Sequence, residues 1–169
     1  MHIEKFDLRD DGRVPNHPTY PLLLYRAALT AAGAALGADA MIRTFAAHGW
    51  GGAWINGIYP FQHYHARSHE VLGCAGAAVE VQFGGPDGPH VAFEPGDVAI
   101  IPAGVAHCRI SQDTNIIVVG AYPAGQEDWD LKRDNPGDYL AALSEIPEVA
   151  APTADPVTGS ASPLLDHWI

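Results

Sequence analysis

Between residues 53 and 122 the chain breaks into short apolar runs separated by Gly, Pro and Asp turns. Val79 to Phe83 (VEVQF) and His90 to Phe93 (HVAF) flank the segment GGPDGP, which predicts a hairpin with a long loop. Pro95-Gly96-Asp97 turns into a strand over Val98 to Ile101, and Pro102-Ala103-Gly104 turns into another over Val105 to Ile110. Ser111 to Thr114 turns again, into Asn115 to Tyr122. Strands this short and this regularly spaced predict a mainly β protein, a sandwich or a barrel.

The flanks read differently. Ala27 to His48 is rich in Ala; Gly33 and Gly37 weaken its first half as a helix, whereas Asp39 can cap a second half. There Met41, Ile42, Phe45 and Ala46 fall at helical spacing, which predicts one short helix near 39–48. A second helix is predicted from about Pro136 to Ser144, with Tyr139, Leu140 and Leu143 on one face. The first 27 residues read as an arm whose apolar patch, Leu22 to Tyr25, needs something to pack on. Ile146 to Ile169, rich in Pro and Ala, reads as an extended tail. Its Leu164, Leu165 and Trp168 are expected to dock on the body or on a second copy. No internal repeat is visible, so one unit is expected over 1–169: an arm and helix (1–52), a β core (53–122), then a helix and tail (123–169).

Composition narrows the function classes. Of 169 residues, 47% are hydrophobic and 17% charged, enough apolar surface for a buried core, which excludes general disorder. Nine Lys and Arg against 20 Asp and Glu leave a formal charge of −11, which repels phosphate backbones and anionic lipid. No nucleic acid and no membrane surface are therefore expected as partners. The first 15 residues lack the apolar run of a secretory signal, and no stretch approaches the roughly 20 apolar residues of a membrane span. A cytoplasmic protein is expected, with Cys74 and Cys108 reduced and serving as small buried hydrophobes. The nine histidines equal Lys and Arg combined, which directs attention to metal.

Gly57 to Gly76, GIYPFQHYHARSHEVLGCAG, holds the densest chemistry. His63 and His65 are two residues apart, so in a strand both imidazoles point to one face. A turn can return Glu70 on a neighbouring strand beside them, giving two nitrogens and a carboxylate oxygen, a donor set for a borderline divalent ion. His107, after the turn made by Pro102 and Gly104, is the fourth candidate. His69 is the rival ligand, but as the neighbour of Glu70 it should face the other way. Cys108 faces away from His107 by the same rule. Tyr59 and Phe61 share the parity of His63 and can wall a cavity, or serve as ordinary core. Val105 and Arg109 share the parity of His107, placing a guanidinium near the site, either for a substrate carboxylate or as a rim group paired with an acidic side chain.

These segments resemble the two motifs of the cupin superfamily. Gly57, His63, His65 and Glu70 match the first motif, with Gly76 closing it one residue early; Gly96, Pro102, Gly104 and His107 match the second, with Ser111 in place of its final Asn. The runs HYH and HEVLG (63–73), GDV and PAGVAH (96–107), GAYP (120–123) and DPVTG (155–159) are similar to the small bacterial YjlB-like group, extending the likeness over most of the chain. The resemblance implies a cupin jelly-roll β-barrel, the double-stranded β-helix, with a short N-terminal helix and a C-terminal helix plus extended tail. It implies one divalent transition-metal ion, Fe, Mn, Ni, Co or Zn, on His63, His65, Glu70 and His107. It also implies a metal-dependent enzyme of dioxygenase or isomerase type, acting on a small polar or carboxylated metabolite. A non-catalytic protein that binds metal or a small ligand is the alternative, and a metal-free barrel whose histidines satisfy one another is the competing reading of the site. With two apolar arms, the chain is expected as a homodimer.

Overall fold

The computed structural model describes residues 1–169. The N-terminal part forms β1 (His2–Phe6), β2 (Leu22–Arg26), β3 (Thr30–Ala31), β4 (Ala34–Ala35) and helix α1 (Ala38–Ala47). The central run continues with β5 (Trp50–Asn56), β6 (His63–Tyr64), β7 (Glu70–Cys74) and β8 (Val79–Phe83). It ends with β9 (His90–Phe93), β10 (Val98–Ile101), β11 (His107–Arg109) and β12 (Val118–Pro123). After it come β13 (Lys132–Arg133), helix α2 (Pro136–Glu145), a 3-10 turn (Ile146–Glu148) and the short helix α3 (Leu164–His167). No helix is long and apolar enough to cross a membrane.

Two antiparallel sheets carry the fold, ordered β1-β2-β10-β7-β12-β5 and β13-β6-β11-β8-β9. Within them the eight strands β5 to β12 cross between the sheets at every step except the β8–β9 hairpin, as β5-β12-β7-β10 facing β6-β11-β8-β9. That order is the jelly roll, two Greek keys folded into facing sheets. The predicted strands over 79–83, 90–93 and 98–101 fall where the structure has them. The next two are shorter than expected, beginning at His107 and Val118.

The inner strands of the first sheet, β2, β10, β7 and β12, are buried on both faces, while its edge strands β1 and β5 are partly exposed. Leu22, Leu24, Leu72, Ala99 and Val118 point into the core between the sheets, while Leu23, Tyr25, Val71, Ile100 and Val119 point outward under α1 and the chain end. This explains why Leu22 to Tyr25 reads as an unbroken apolar run instead of alternating. The arm is consequently part of the sheet: β2 pairs with β10, and β1 pairs with β2 outside it. Residues ahead of α1 form the small hairpin β3–β4, turning at Ala32 and Gly33, both at positive φ. The cap of α1 is Gly37; Asp39, expected there, lies in the first turn, where its charge favours the positive helix end. On α2 the buried residue is Ala142, while Leu140 and Leu143 are exposed, so the inward face is rotated from the one expected.

The tail docks on its own chain. Leu164 and Trp168 join the outer core, and the Trp168 ring stacks on Tyr20 at 5.0 Å while its Nε1 donates to the Pro21 carbonyl at 2.9 Å. Tyr25 donates to Asp155 at 2.7 Å and Trp50 to the Ala154 carbonyl at 2.9 Å. Both apolar segments offered by the sequence are thus buried within the chain. Replacing Trp168 with Ala removes a full indole from this layer and is expected to lower the unfolding free energy by about 3–5 kcal/mol, read from urea denaturation.

His17 is buried beside the same layer. Its Nδ1 accepts from the backbone N–H of Tyr20 at 2.8 Å and of Thr19 at 3.2 Å, and the Tyr20 ring stacks on it at 4.3 Å. Burial pulls its pKa down to about 4, below the ordinary value near 6.5. The proton therefore prefers the unfolded chain: the contribution of neutral His17 is complete above pH 6.5 and shrinks as pH falls towards 4. Within that window stability should drop by up to about 1.4 kcal/mol per pH unit on its account. His17→Asn, whose Oδ1 can accept the same bonds, should remove that part of the slope when denaturation curves are compared across pH.

Candidate functional site

Strand pairing brings the histidines together. β6 is only two residues long and pairs with β11 so that His63 lies directly opposite His107. His65 follows just past the end of β6, and the N–H of Gly104 donates to its carbonyl at 2.7 Å. Gly104 occupies the third position of a tight turn closed by the Val105 N–H donating to the Pro102 carbonyl at 3.1 Å. Its φ of +87° suits glycine, and a Cβ there would lie 2.7 Å from the Asn16 carbonyl oxygen and 2.5 Å from Ile146 Cδ1. Glu70 opens β7, in the facing sheet. The carboxylate therefore reaches the histidines from across the barrel, and not from an adjacent strand as the spacing predicts.

Each of the three imidazoles gives its Nδ1 hydrogen to a backbone carbonyl: His63 to Phe61 at 2.9 Å, His107 to Val105 at 3.2 Å, and His65 to Asp130. A carbonyl only accepts, so in the neutral rings the lone pair sits on Nε2. Nε2 of His65 lies 3.5 Å from Glu70 Oε1, and Nε2 of His107 lies 3.4 Å from Oε2. The rings of His63 and His107 are 4.1 Å apart. Tyr122 donates to Glu70 Oε1 at 3.2 Å, and Oε2 is buried without a hydrogen-bond partner. Trp54 in turn donates to the Tyr122 oxygen at 2.8 Å, its indole lying so close over Gly120 that a Cβ there would be 2.1 Å from a ring carbon.

The electrostatics follow from this packing. Burial, reinforced by His107, pulls His63 down to about 3 and keeps it neutral. Burial also opposes charge on His65, but the Glu70 carboxylate outweighs it and the net shift is upward. For Glu70 burial works against ionisation, yet His65 and His107 hold its pKa below the usual carboxylate range. The result is a buried, ionised carboxylate set between the Nε2 atoms of His65 and His107, with Oε2 lacking a hydrogen bond of normal length.

The donor set suits a divalent ion. Ligating histidines characteristically give the other ring hydrogen to a carbonyl, and separations near 3.4 Å match those between ligands around an ion with bonds of about 2.1 Å. As they stand, no three of these side chains come together closely enough to hold a metal ion; His63 meets His107 ring to ring at 4.1 Å.

These groups line a cavity of about 580 Å³ together with Trp54, Leu72 and Tyr122. Of the predicted wall, Tyr59 and Arg109 line it, whereas Phe61 and Val105 do not. The strand begins only at His63, so alternation does not run back through Pro60. Phe61 instead stacks on Tyr59 at 4.8 Å and under the Arg133 guanidinium at 3.5 Å. Val105 precedes β11 and enters the core between the sheets. Cys108 does not line the cavity. His69 points away from it but not into solvent: its Nδ1 accepts from the Ala103 N–H at 2.9 Å, and it packs against Trp168 at 4.8 Å.

Sequence reasoning missed Tyr122, Trp54, Trp129 and Asp130. Tyr122 shares the parity of inward Val118 on β12, so alternation was an available signal. Trp129, 5.2 Å from the His65 ring, and Asp130, whose Oδ1 accepts from the N–H groups of Ala66 and Arg67, come from an irregular loop with no such signal. Gly104→Ala is expected to cost about 1–3 kcal/mol from backbone strain, and more from the Asn16 contact. Gly12→Ala, at a similar φ of +83° in open space, should cost the strain alone, the difference being read from paired urea curves.

No family model matches the chain. The uncharacterized protein YjlB of Bacillus subtilis (strain 168) is 40% identical over 160 residues, which are 95% of this chain and 93% of that protein. Among solved structures, acireductone dioxygenase from Bacillus anthracis, with a cadmium ion in its active centre, aligns at a TM-score of 0.41 and 15% identity, covering 63% of this chain and 79% of that one. QdtA, a sugar 3,4-ketoisomerase from Thermoanaerobacterium thermosaccharolyticum in complex with TDP, aligns at 0.38 and 15%, covering 54% and 71%. At these scores the two likenesses carry no argument, and the fold rests on the strand order itself. Identity extending over nearly the whole of both sequences, on a jelly roll that bears the two cupin motifs, makes the chain a member of the YjlB family of cupins.

Proposed function

We propose that His63, His65, Glu70 and His107 bind one divalent transition-metal ion, Fe, Mn, Ni, Co or Zn. We propose further that the cavity above them is the active site of an enzyme acting on a small polar or carboxylated metabolite. The observation that carries this reading is the fixed orientation of the donors. Three buried imidazoles are tied through Nδ1 so that Nε2 is the free atom, around a carboxylate with an unanswered oxygen. When bound, such an ion supplies dioxygen chemistry if it is iron, or Lewis-acid polarisation of a carbonyl for isomerisation otherwise. The chain's own residues do the rest. Tyr122 and Trp54 hold Glu70 in place, Trp129 and the Asp130 carbonyl hold His65, and Leu72 and Ile116 keep the floor and wall apolar. The two buried free thiols suit a reducing, cytoplasmic setting.

Metal analysis of protein purified from its own host should find close to one equivalent of a divalent transition metal, and His65→Ala or His107→Ala should empty the site. Full occupancy in either variant refutes the ligand assignment. Tyr122→Phe keeps the ligands but frees Glu70, and should weaken metal affinity by roughly 10–100-fold in a competition titration with a chelating dye. Activity is tested by offering organic acids, diketones and sugars to the loaded protein with and without O2. Tight saturable binding of one compound with turnover of none would overturn the enzyme reading in favour of a binding protein.

A further inference from the structure

Arg109 ends β11 two residues beyond His107, and so projects on the same face, towards the same cavity. Its guanidinium is held by backbone alone: Nε donates to the Ile58 carbonyl at 3.2 Å and Nη1 to the Ser111 carbonyl at 3.0 Å. No carboxylate forms an ion pair with it, in a chain with 20 acidic side chains and a net charge of −11. It is the one Lys or Arg that lines the cavity. A guanidinium has five N–H donors in a planar fork, and two neutral carbonyls leave most of that fork and all of its charge unanswered. Asp113, the acidic residue of the mouth, lines the same opening, but the partners of Arg109 are the two carbonyls.

The same mouth exposes apolar surface. Ile55, Tyr59, Trp129 and Leu131 line the cavity, yet each is between 40% and 51% exposed. Apolar side chains gathered at the rim of a concavity, beside a few fixed polar groups, are the ordinary composition of a small-ligand site.

We propose that Arg109 is a carboxylate anchor, and that the cavity takes an organic acid whose apolar body lies on Tyr59, Trp129 and their neighbours. The inference deepens the function proposed above and rests on the cavity being the ligand site. It adds a geometric restriction. His107 and Arg109 lie about 7 Å apart along the strand, and the guanidinium is tied to the carbonyls of Ile58 and of Ser111, beyond the strand end, so a carboxylate held there is set apart from the histidines. It is then not the group that meets the histidines. The ligand is an acid with a second polar function several bonds away, separated from the carboxylate by an apolar stretch.

The test follows the fluorescence of Trp54 and Trp129 in metal-loaded protein, titrated with 3-phenylpropionate, its neutral amide and 2-phenylethyl phosphate. The acid should bind wild type at least tenfold more tightly than the amide. Arg109→Gln should weaken the acid at least tenfold, leave the amide unchanged and keep the metal content. Arg109→Lys, which retains charge without the fork, should fall between, and Asp113→Asn should tighten acid binding. Equal binding of acid and amide by wild type overturns the proposal, as does unchanged acid binding by Arg109→Gln or failure of wild type to bind the acid. Tighter binding of the phosphate ester overturns the carboxylate assignment. If Arg109→Gln does not fold, the acid and amide comparison and Arg109→Lys decide it. Arg109-dependent acid binding by a protein that takes up no metal would sink the metal centre and leave the anchor standing.

Discussion

The burial of the Glu70 carboxylate is the constraint around which the barrel is organised. An ionised carboxylate out of water costs several kcal/mol unless it is answered by charge or hydrogen bonds. Glu70 is 2% exposed and receives one hydrogen bond, from Tyr122, while His65 and His107 approach its two oxygens. Those histidines are not free to reorient, because their Nδ1 hydrogens are committed to carbonyls of Asp130 and Val105. The site is therefore stiff from its second layer inward. Its remaining deficit is Oε2, which has no hydrogen-bond partner and lies 3.4 Å from Nε2 of His107.

That stiffness is supplied by parts of the chain far from the site in sequence. The turn that aims His107 packs its Gly104 against Asn16 of the N-terminal segment and Ile146 after α2. Asn16 also accepts from the N–H of Ala106 and donates to the carbonyls of Arg9 and Gly84. The strand bearing Glu70 is covered on its outer face by α1 and by the docked tail, whose Trp168 touches the ring of His69. Removing either end of the chain therefore acts on the barrel interior through packing, without any contact to the cavity.

The charge distribution separates two scales. Over the whole molecule an excess of acidic side chains repels polyanions. Inside the cavity the Arg109 guanidinium stands with three imidazoles beside Glu70 and the mouth residue Asp113, so a single fixed cation offsets part of the acidic charge there, and a divalent ion on the imidazoles would add to it. A small organic anion that passes the mouth meets that local set at short range, where the distant surface charges are screened over about 8–10 Å of salt solution.

Periodicity and turn chemistry are local properties, and they were readable without a structure. The strands over 79–83, 90–93 and 98–101, the helix from Ala38 to Ala47, the turn at Pro102 to Val105 and the spacing of His63, His65, Glu70 and His107 all follow from residues a few positions apart. What depended on the tertiary structure involves groups distant in sequence. Glu70 comes from the facing sheet because the chain crosses from one sheet to the other between β6 and β7, which no short-range pattern encodes. Phe61 leaves the cavity for Arg133, and His69 is buried under Trp168, because partners 72 and 99 residues away are energetically better than the positions that alternation assigns. Likewise Leu22 to Tyr25 and the chain end become part of the outer layer, since a sheet buried on both faces needs a cover and the chain supplies its own.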